Sequence, residues 1–434
     1  MRFASLIALL IAPSAIPADD WPQFQGPMRD GIWRETGIVE KFPDGGPKKL
    51  WSAPVGLGYA GPAVAGDCVY VMDFLAAEGG AKERTQCLDI ADGKLLWKDE
   101  YAAKYSVQYP AGPRCTPLID GDRVYTLGTM GELRCLNCKD GALKWRKNYV
   151  ADFAAKVPIW GFSTHPLVDG DALICVTGGT KDNLVMAFDK LTGKVLWQKE
   201  STEADCGYTA PMIYDFDGVR MLIVWHGAAV LGLDPATGKR LWRHEFKTNY
   251  ALTAPTPVKS GEYLLVTAFY EGPLLLKPTA TGVSLIWKGN GKSEKPEGTD
   301  KLHSIIPTPV IRDGTIYGVC SYGELRGLEL ATGKRLWETR KPTVGTATNE
   351  GKPTRWGNAF LNPHEDRTFL FNEKGELILA KLSPDGYEEI SRAQLVKPLN
   401  KLAGRPVVWS PPAFANKKCF ARNDAEVVCV DLAK

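Results

Sequence analysis

A nine-residue phrase recurs along this chain and constrains its fold more than any other feature. It reads Asp189-Lys190-Leu191-Thr192-Gly193-Lys194-Val195-Leu196-Trp197. It returns from Asp234 through Thr237-Gly238-Lys239 to Leu241-Trp242, and from Glu329 through Thr332-Gly333-Lys334 to Leu336-Trp337. Looser copies run from Asp89 to Trp97 and from Asn137 to Trp145, and a worn one ends at Thr281-Gly282 and Trp287. The phrase has the chemistry of a turn between strands. Asp or Asn bonds its own backbone two residues on, and Gly takes positive φ without steric conflict. Apolar, β-rich residues flank it, so each copy predicts a β-hairpin. The closing residues Trp51, Trp97, Trp145, Trp197, Trp242, Trp287 and Trp337 fall at intervals of 46, 48, 52, 45, 45 and 50 residues. A period in the forties with several strands per unit predicts a β-propeller, whose blades cover one another's faces. The seven Trp residues are expected between blades in a structural role, each burying about 150–250 Å².

The predicted fold is all-β, an eight-bladed propeller of four-stranded antiparallel blades. The blades are expected near 59–101, 110–149, 162–200, 207–246, 253–289, 304–340 and 356–392, with the last formed by 406–432 and the strand 48–53. Leu50-Trp51 reads as the end of a repeat whose beginning stands at the other terminus, so the N-terminal strand is expected to close the ring and remove its open edges. The propeller is thus assigned to 48–434 and a leader packed on it to 19–47. Residues 1–18 read as a signal peptide: Arg2, an apolar run from Phe3 to Ala12, and Ile16-Pro17-Ala18 before Asp19. The mature chain is expected to be exported, periplasmic or extracellular, soluble, without a transmembrane segment, and a monomer. A net charge of +3 is too small to argue for nucleic acid.

An oxidising compartment permits disulfides. Cys68 with Cys87, and Cys419 with Cys429, hold equivalent repeat positions, and each pair is expected to face across the middle hairpin of its blade, bonded or as buried thiols. Cys135-Leu-Asn-Cys138 has redox or metal spacing, but Lys139 follows rather than His, and Cys138 falls where the repeat turn belongs.

The alternation of short and long connections predicts which face binds. Short Asp-Gly and Thr-Gly-Lys turns share one face. Long irregular connections, 101–112, 149–161, 289–303 and 341–355, share the other, where binding usually resides. Residues just ahead of each inner strand should ring the channel mouth: Tyr59, Arg114, Trp160 with Phe162 and His165, Tyr208, Tyr250, His303, Arg355 with Trp356, and Trp409. They suit a flat, anionic or polyhydroxylated ligand, or else the aromatics plug the channel. No catalytic residue is assigned. No zinc-protease spacing, nucleophile elbow or phosphate loop is present. Asp205, Asp300, Asn358 and Asn362 are loop residues of calcium-ligating type, with no spacing that assigns a metal.

The repeats resemble the pyrroloquinoline-quinone (PQQ) repeat family of eight-bladed propellers over nearly all of 50–434. Trp21-Pro22-Gln23-Phe24-Gln25-Gly26-Pro27 and Trp160-Gly161-Phe162-Ser163 are similar to an exported branch of PQQ-like proteins of planctomycete-type bacteria. The resemblance implies two kinds of function. Quinoprotein alcohol dehydrogenases bind PQQ and calcium at the channel mouth. This chain has neither their adjacent cysteine pair nor a matching calcium-site or catalytic Asp motif. BamB-like propellers of the outer-membrane barrel-assembly machinery are non-catalytic scaffolds, and their lipid-bearing Cys has no counterpart here. The expected role is therefore a binding or assembly scaffold acting on a protein, small molecule or glycan. The alternatives are a divergent PQQ-dependent alcohol or sugar oxidoreductase, with Arg114, Trp160, His303, Arg355 and Trp409 around the quinone, and a glycan-binding module.

Overall fold

The computed structural model describes residues 20–76, 80–109, 111–201, 205–290, 293–402 and 404–434, so the signal-peptide assignment lies outside the described residues. Eight four-stranded antiparallel sheets form the blades of a propeller, and a two-stranded hairpin, Asn400–Leu402 with Arg405–Val407, precedes the last of them. Seven blades use four consecutive strands. The eighth combines Ala413–Ala415, Lys418–Arg422 and Glu426–Asp431 with the N-terminal strand Lys49–Pro54. Trp51 stands opposite Cys429 and Pro54 opposite Glu426. The buried Arg422 reinforces this closure. Its guanidinium donates to the carbonyls of Met72 and Gly56, both at 2.6 Å, and of Asn423 at 3.1 Å, joining the last blade to the first.

The repeated phrase has a more specific role than a turn. In all eight blades the outer strand carries one extra residue against its neighbour: Leu50, Leu96, Lys144, Leu196, Leu241, Ile286, Leu336 and Ile390. Such a bulge bends and twists a strand and re-aims the side chain beside it. Here it tips the following Trp toward the next blade. Trp51 donates to Ile90 O at 2.9 Å, Trp97 to Cys138 O at 2.7 Å, Trp145 to Lys190 O at 3.1 Å, Trp287 to Leu330 O at 2.9 Å and Trp337 to Ser383 O at 2.9 Å. The ring lies on the glycine of the next turn. A Cβ on Gly93 would stand 2.6 Å from the Trp51 ring, and one on Gly193 would stand 2.8 Å from that of Trp145. Glycine thus supplies both positive φ and contact room there. Trp242 meets the worn copy and instead donates to Met221 Sδ of its own blade at 3.2 Å. The seventh blade has Ser391 in place of Trp yet keeps its bulge.

All ten cysteines are free thiols in the structure, which corrects the geometry expected for one of the two pairs. Cys419 pairs in register with Val430 and Cys429 with Phe420, so the two thiols lie on opposite faces of the sheet. Pleating alternates side chains between faces, and no rotamer change brings them together. Cys68 and Cys87 do share a face, diagonally, with Cys87 opposite Tyr70. A hydrogen bond from Cys87 holds the Cys68 thiol down at about 7.

The leader threads the short-turn end of the channel. Trp21 bridges Val64 of the first blade, and Pro22 O accepts from Ile119 N of the second at 2.8 Å. Gln25 donates to Thr308 Oγ1 at 2.6 Å. Arg29 is buried, and its guanidinium donates to Gln23 Oε1 at 3.0 Å, Pro166 O at 2.9 Å, Pro211 O at 3.3 Å and His165 O at 3.4 Å. Burial lowers its pKa to about 10, which leaves it charged at neutral pH. Further along, Trp33 packs on Phe369 and Phe414 inside the core between the last blades.

Candidate binding site at the channel mouth

At the opposite end the channel opens into a cavity of about 210 Å³. Connections ahead of the inner strands supply its wall. Tyr59, Arg114, Trp160, His165, Tyr208, Trp356 and Trp409, all singled out from the sequence, line it together. Two others do not. His303 is fully buried behind the wall, with Nδ1 3.0 Å from Phe269 O. Arg355 turns aside to Glu294 Oε1 at 2.8 Å while lying over the Trp356 ring at 4.9 Å. Phe162 is buried between Tyr149 and the third blade. Tyr250 is 62% exposed and sits on the rim, 5.8 Å from Tyr270 and 6.3 Å from Trp160.

Phe24, Tyr109, Tyr270, Ile305, Ile306 and Phe360 also line the cavity and were not anticipated. Phe24 is the most informative of these. It comes from the leader and stacks on His165 at 4.0 Å between ring centroids, so the segment that closes the far end also lays the floor of this one. The Trp21-to-Pro27 stretch was visible in the sequence, but nothing in it pointed to the floor of a cavity.

The wall carries one charged side chain, Arg114. Burial, assisted by Arg29, pushes His165 down to about 3, so the ring is neutral at physiological pH. Burial raises Tyr59 to about 12 and Tyr208 further, so both phenols stay protonated. The Arg114 guanidinium donates to the carbonyls of Gly112, Tyr109 and Gln108 and lies over the Tyr59 ring at 5.0 Å. Trp409 Nε1 is drawn away to Glu373 Oε2 at 3.3 Å, and Arg405 grips the same carboxylate at 2.9 and 3.0 Å. Trp160 Nε1, His165 Nε2 and Tyr208 OH are each covered. What the wall turns to the cavity is mainly ring faces and aliphatic carbon, with the paired Arg114 guanidinium as the one charged group of the lining.

A profile described as outer membrane protein assembly factor BamB, of the PQQ-repeat type, matches residues 81–339 and 226–434. The chain belongs to this family. The PQQ-repeat propeller fold recurs in solved structures of low identity. BamB from Moraxella catarrhalis is 16% identical with a TM-score of 0.54, over 88% of this chain and 97% of that one. A quinohemoprotein alcohol dehydrogenase from Comamonas testosteroni is 13% identical with a TM-score of 0.61, over 96% and 81%. A europium-containing methanol dehydrogenase is 12% identical with a TM-score of 0.62, over 95% and 89%. A comparison with curated proteins returns no match.

PQQ with calcium is the cofactor that such a fold suggests, and this mouth does not fit it. The quinone carries three carboxylates. The two guanidiniums at hand are committed, Arg114 to carbonyls and Arg355 to Glu294. Asp205, Asp300, Asn358 and Asn362 do not converge on one site. Asp300 accepts from Asn290 N at 3.1 Å and Asn362 donates to Gly31 O at 3.1 Å. Among the described residues no three His, Cys, Asp or Glu side chains gather to hold a metal ion. No helix among them is long and apolar enough to cross a membrane.

Proposed function

We propose that this chain is an exported, non-catalytic binding or assembly scaffold that works through its long-loop face. The observation carrying this reading is the character of the mouth: a ring-lined, mostly apolar cavity whose one charged lining side chain, Arg114, is already paired to backbone carbonyls. Acid–base or nucleophilic chemistry needs a group of suitable pKa within hydrogen-bond reach of a reacting atom. The cavity lining offers no carboxylate, and His165 is held neutral by burial. Membership of the BamB family supports the scaffold role. The leading apolar segment, Phe3 to Ala12, supports export, and N-terminal sequencing of the mature protein should begin near Asp19.

The test is a titration with PQQ and calcium, followed by an assay of alcohol-dependent dye reduction. We expect no change in thermal midpoint and no turnover. A tight quinone complex at large excess would stabilise the fold by several kcal/mol, a shift easily seen. Such a shift together with dye reduction would replace this reading with a quinoprotein oxidoreductase.

A further inference from the structure

We propose that the mouth binds an uncharged aromatic ring of phenol or indole size, inserted among Trp160, Tyr208, Tyr270, Trp356 and the Phe24 floor. The inference rests on the reading of this face as the binding face, and adds the class of ligand. Size comes first. A buried apolar cavity of roughly 150 Å³ takes up benzene, so about 210 Å³ accommodates one slightly larger ring system within the mouth.

Wall chemistry then selects among ligands of that size. Aromatic pairs favour offset or edge-to-face packing with centroids roughly 4.5–7 Å apart. The wall already packs this way, with Trp160 and Tyr208 at 5.4 Å and a tilt of 51°. A pyranose fits poorly. It would bury four or five hydroxyls, and each one left unpaired costs about 1–3 kcal/mol, yet Trp160 Nε1, His165 Nε2 and Tyr208 OH are covered. Charged ligands fit no better. An ammonium would face Arg114 with no carboxylate in the lining, and a carboxylate would find that guanidinium already bonded to three carbonyls. A ring with at most one polar group leaves little unsatisfied.

Free aromatic compounds and aromatic side chains of a polypeptide share this chemistry, and the experiment separates them. The full mature chain is titrated with p-cresol and indole, with N-acetyl-tryptophanamide, and with methyl β-glucoside, using ligand-observed NMR and calorimetry. We expect the free rings to bind with Kd on the order of 1 mM or tighter and the glucoside not to bind. Filling the cavity by Ala254→Phe should weaken ring binding at least tenfold. Removing a wall by Trp160→Ala should weaken it severalfold, and thermal midpoints check that both variants fold. If the capped amide binds as well as indole, the source is a side chain. If it is excluded while indole binds, the source is a small molecule. Binding of the glucoside without the rings, ring binding indifferent to both substitutions, or no ring binding at all would overturn the inference. The scaffold reading fails separately, on alcohol-dependent dye reduction with PQQ and calcium, whatever the rings do.

Discussion

The two ends of the central channel are built from the same eight inner strands and behave oppositely. At the short-turn end the chain fills its own channel. Arg29 and Gln25 meet backbone carbonyls and threonine hydroxyls that would otherwise face a water-filled bore. At the long-loop end the connections supply rings, and Trp160 Nε1, His165 Nε2 and Tyr208 OH are hidden. One end is satisfied within the molecule, whereas the other keeps an open, largely apolar cavity. The difference shows how a closed, symmetric scaffold acquires a direction: a single non-repeating segment occupies one mouth and leaves the other.

This contrast can be broken most severely at Arg29. Replacing it with Met strands several buried carbonyls, each about 1–3 kcal/mol when unpaired. We expect Arg29→Met to destabilise the fold by about 2–4 kcal/mol in denaturant unfolding, with ring binding at the mouth reduced because the floor loosens. A loss below about 0.5 kcal/mol would mean that the leader does not seal its end.

His165 gives the next largest effect, through pH. Its folded pKa, about 3, lies below the ordinary 6.5, so between these values the unfolded chain binds a proton that the folded chain does not. Its contribution is complete above about pH 6.5 and is lost as pH falls toward 3. The slope approaches about 1.4 kcal/mol per pH unit. Denaturant unfolding at pH 7 and pH 5 should show this slope, and His165→Gln should flatten it. An unchanged slope would place the ring in water.

Phe24→Ala comes third. The ring is half-buried, so its loss should be smaller than the 3–5 kcal/mol of a core Phe, about 1–2 kcal/mol, and the cavity should deepen toward the leader. Larger rings than indole should then bind relatively better, measured by the same titration. Smallest of all is Tyr208→Phe. Its covered hydroxyl reaches only the Trp160 backbone, so stability should stay within about 0.5 kcal/mol. A loss of 1 kcal/mol or more would reveal a further partner for that hydroxyl and with it a polar side to the open end.

Much of the fold was legible because its signals are local and repeated. The turn phrase, the Trp spacing and the orphan strand at Leu50-Trp51 fixed the blades, their number, the closure by Lys49–Pro54 and the inequality of the two faces. The bulge before each Trp was not legible. A residue inserted in a strand looks like any other strand residue until its neighbour's register is known, and only pairing shows that Leu96 has no partner opposite Cys87 and Leu88. The same limit explains Cys419 and Cys429, whose sequence positions match those of the other pair while their register puts them on opposite faces.

The mouth divides along the same line. Position ahead of an inner strand was enough to bring Tyr59, Arg114, Trp160, His165, Tyr208, Trp356 and Trp409 to one cavity, because ring closure sends all those connections to one end. It did not say which side chains would turn inward. Arg355 found Glu294, His303 found a backbone carbonyl, and Phe24 arrived from a segment outside the repeats. Sequence alone determined the architecture and the face, through periodic burial that any copy of the repeat must satisfy. Tertiary structure alone decided the wall's chemistry, because whether a ring, a guanidinium or a hidden hydroxyl meets the cavity depends on partners far away in the chain.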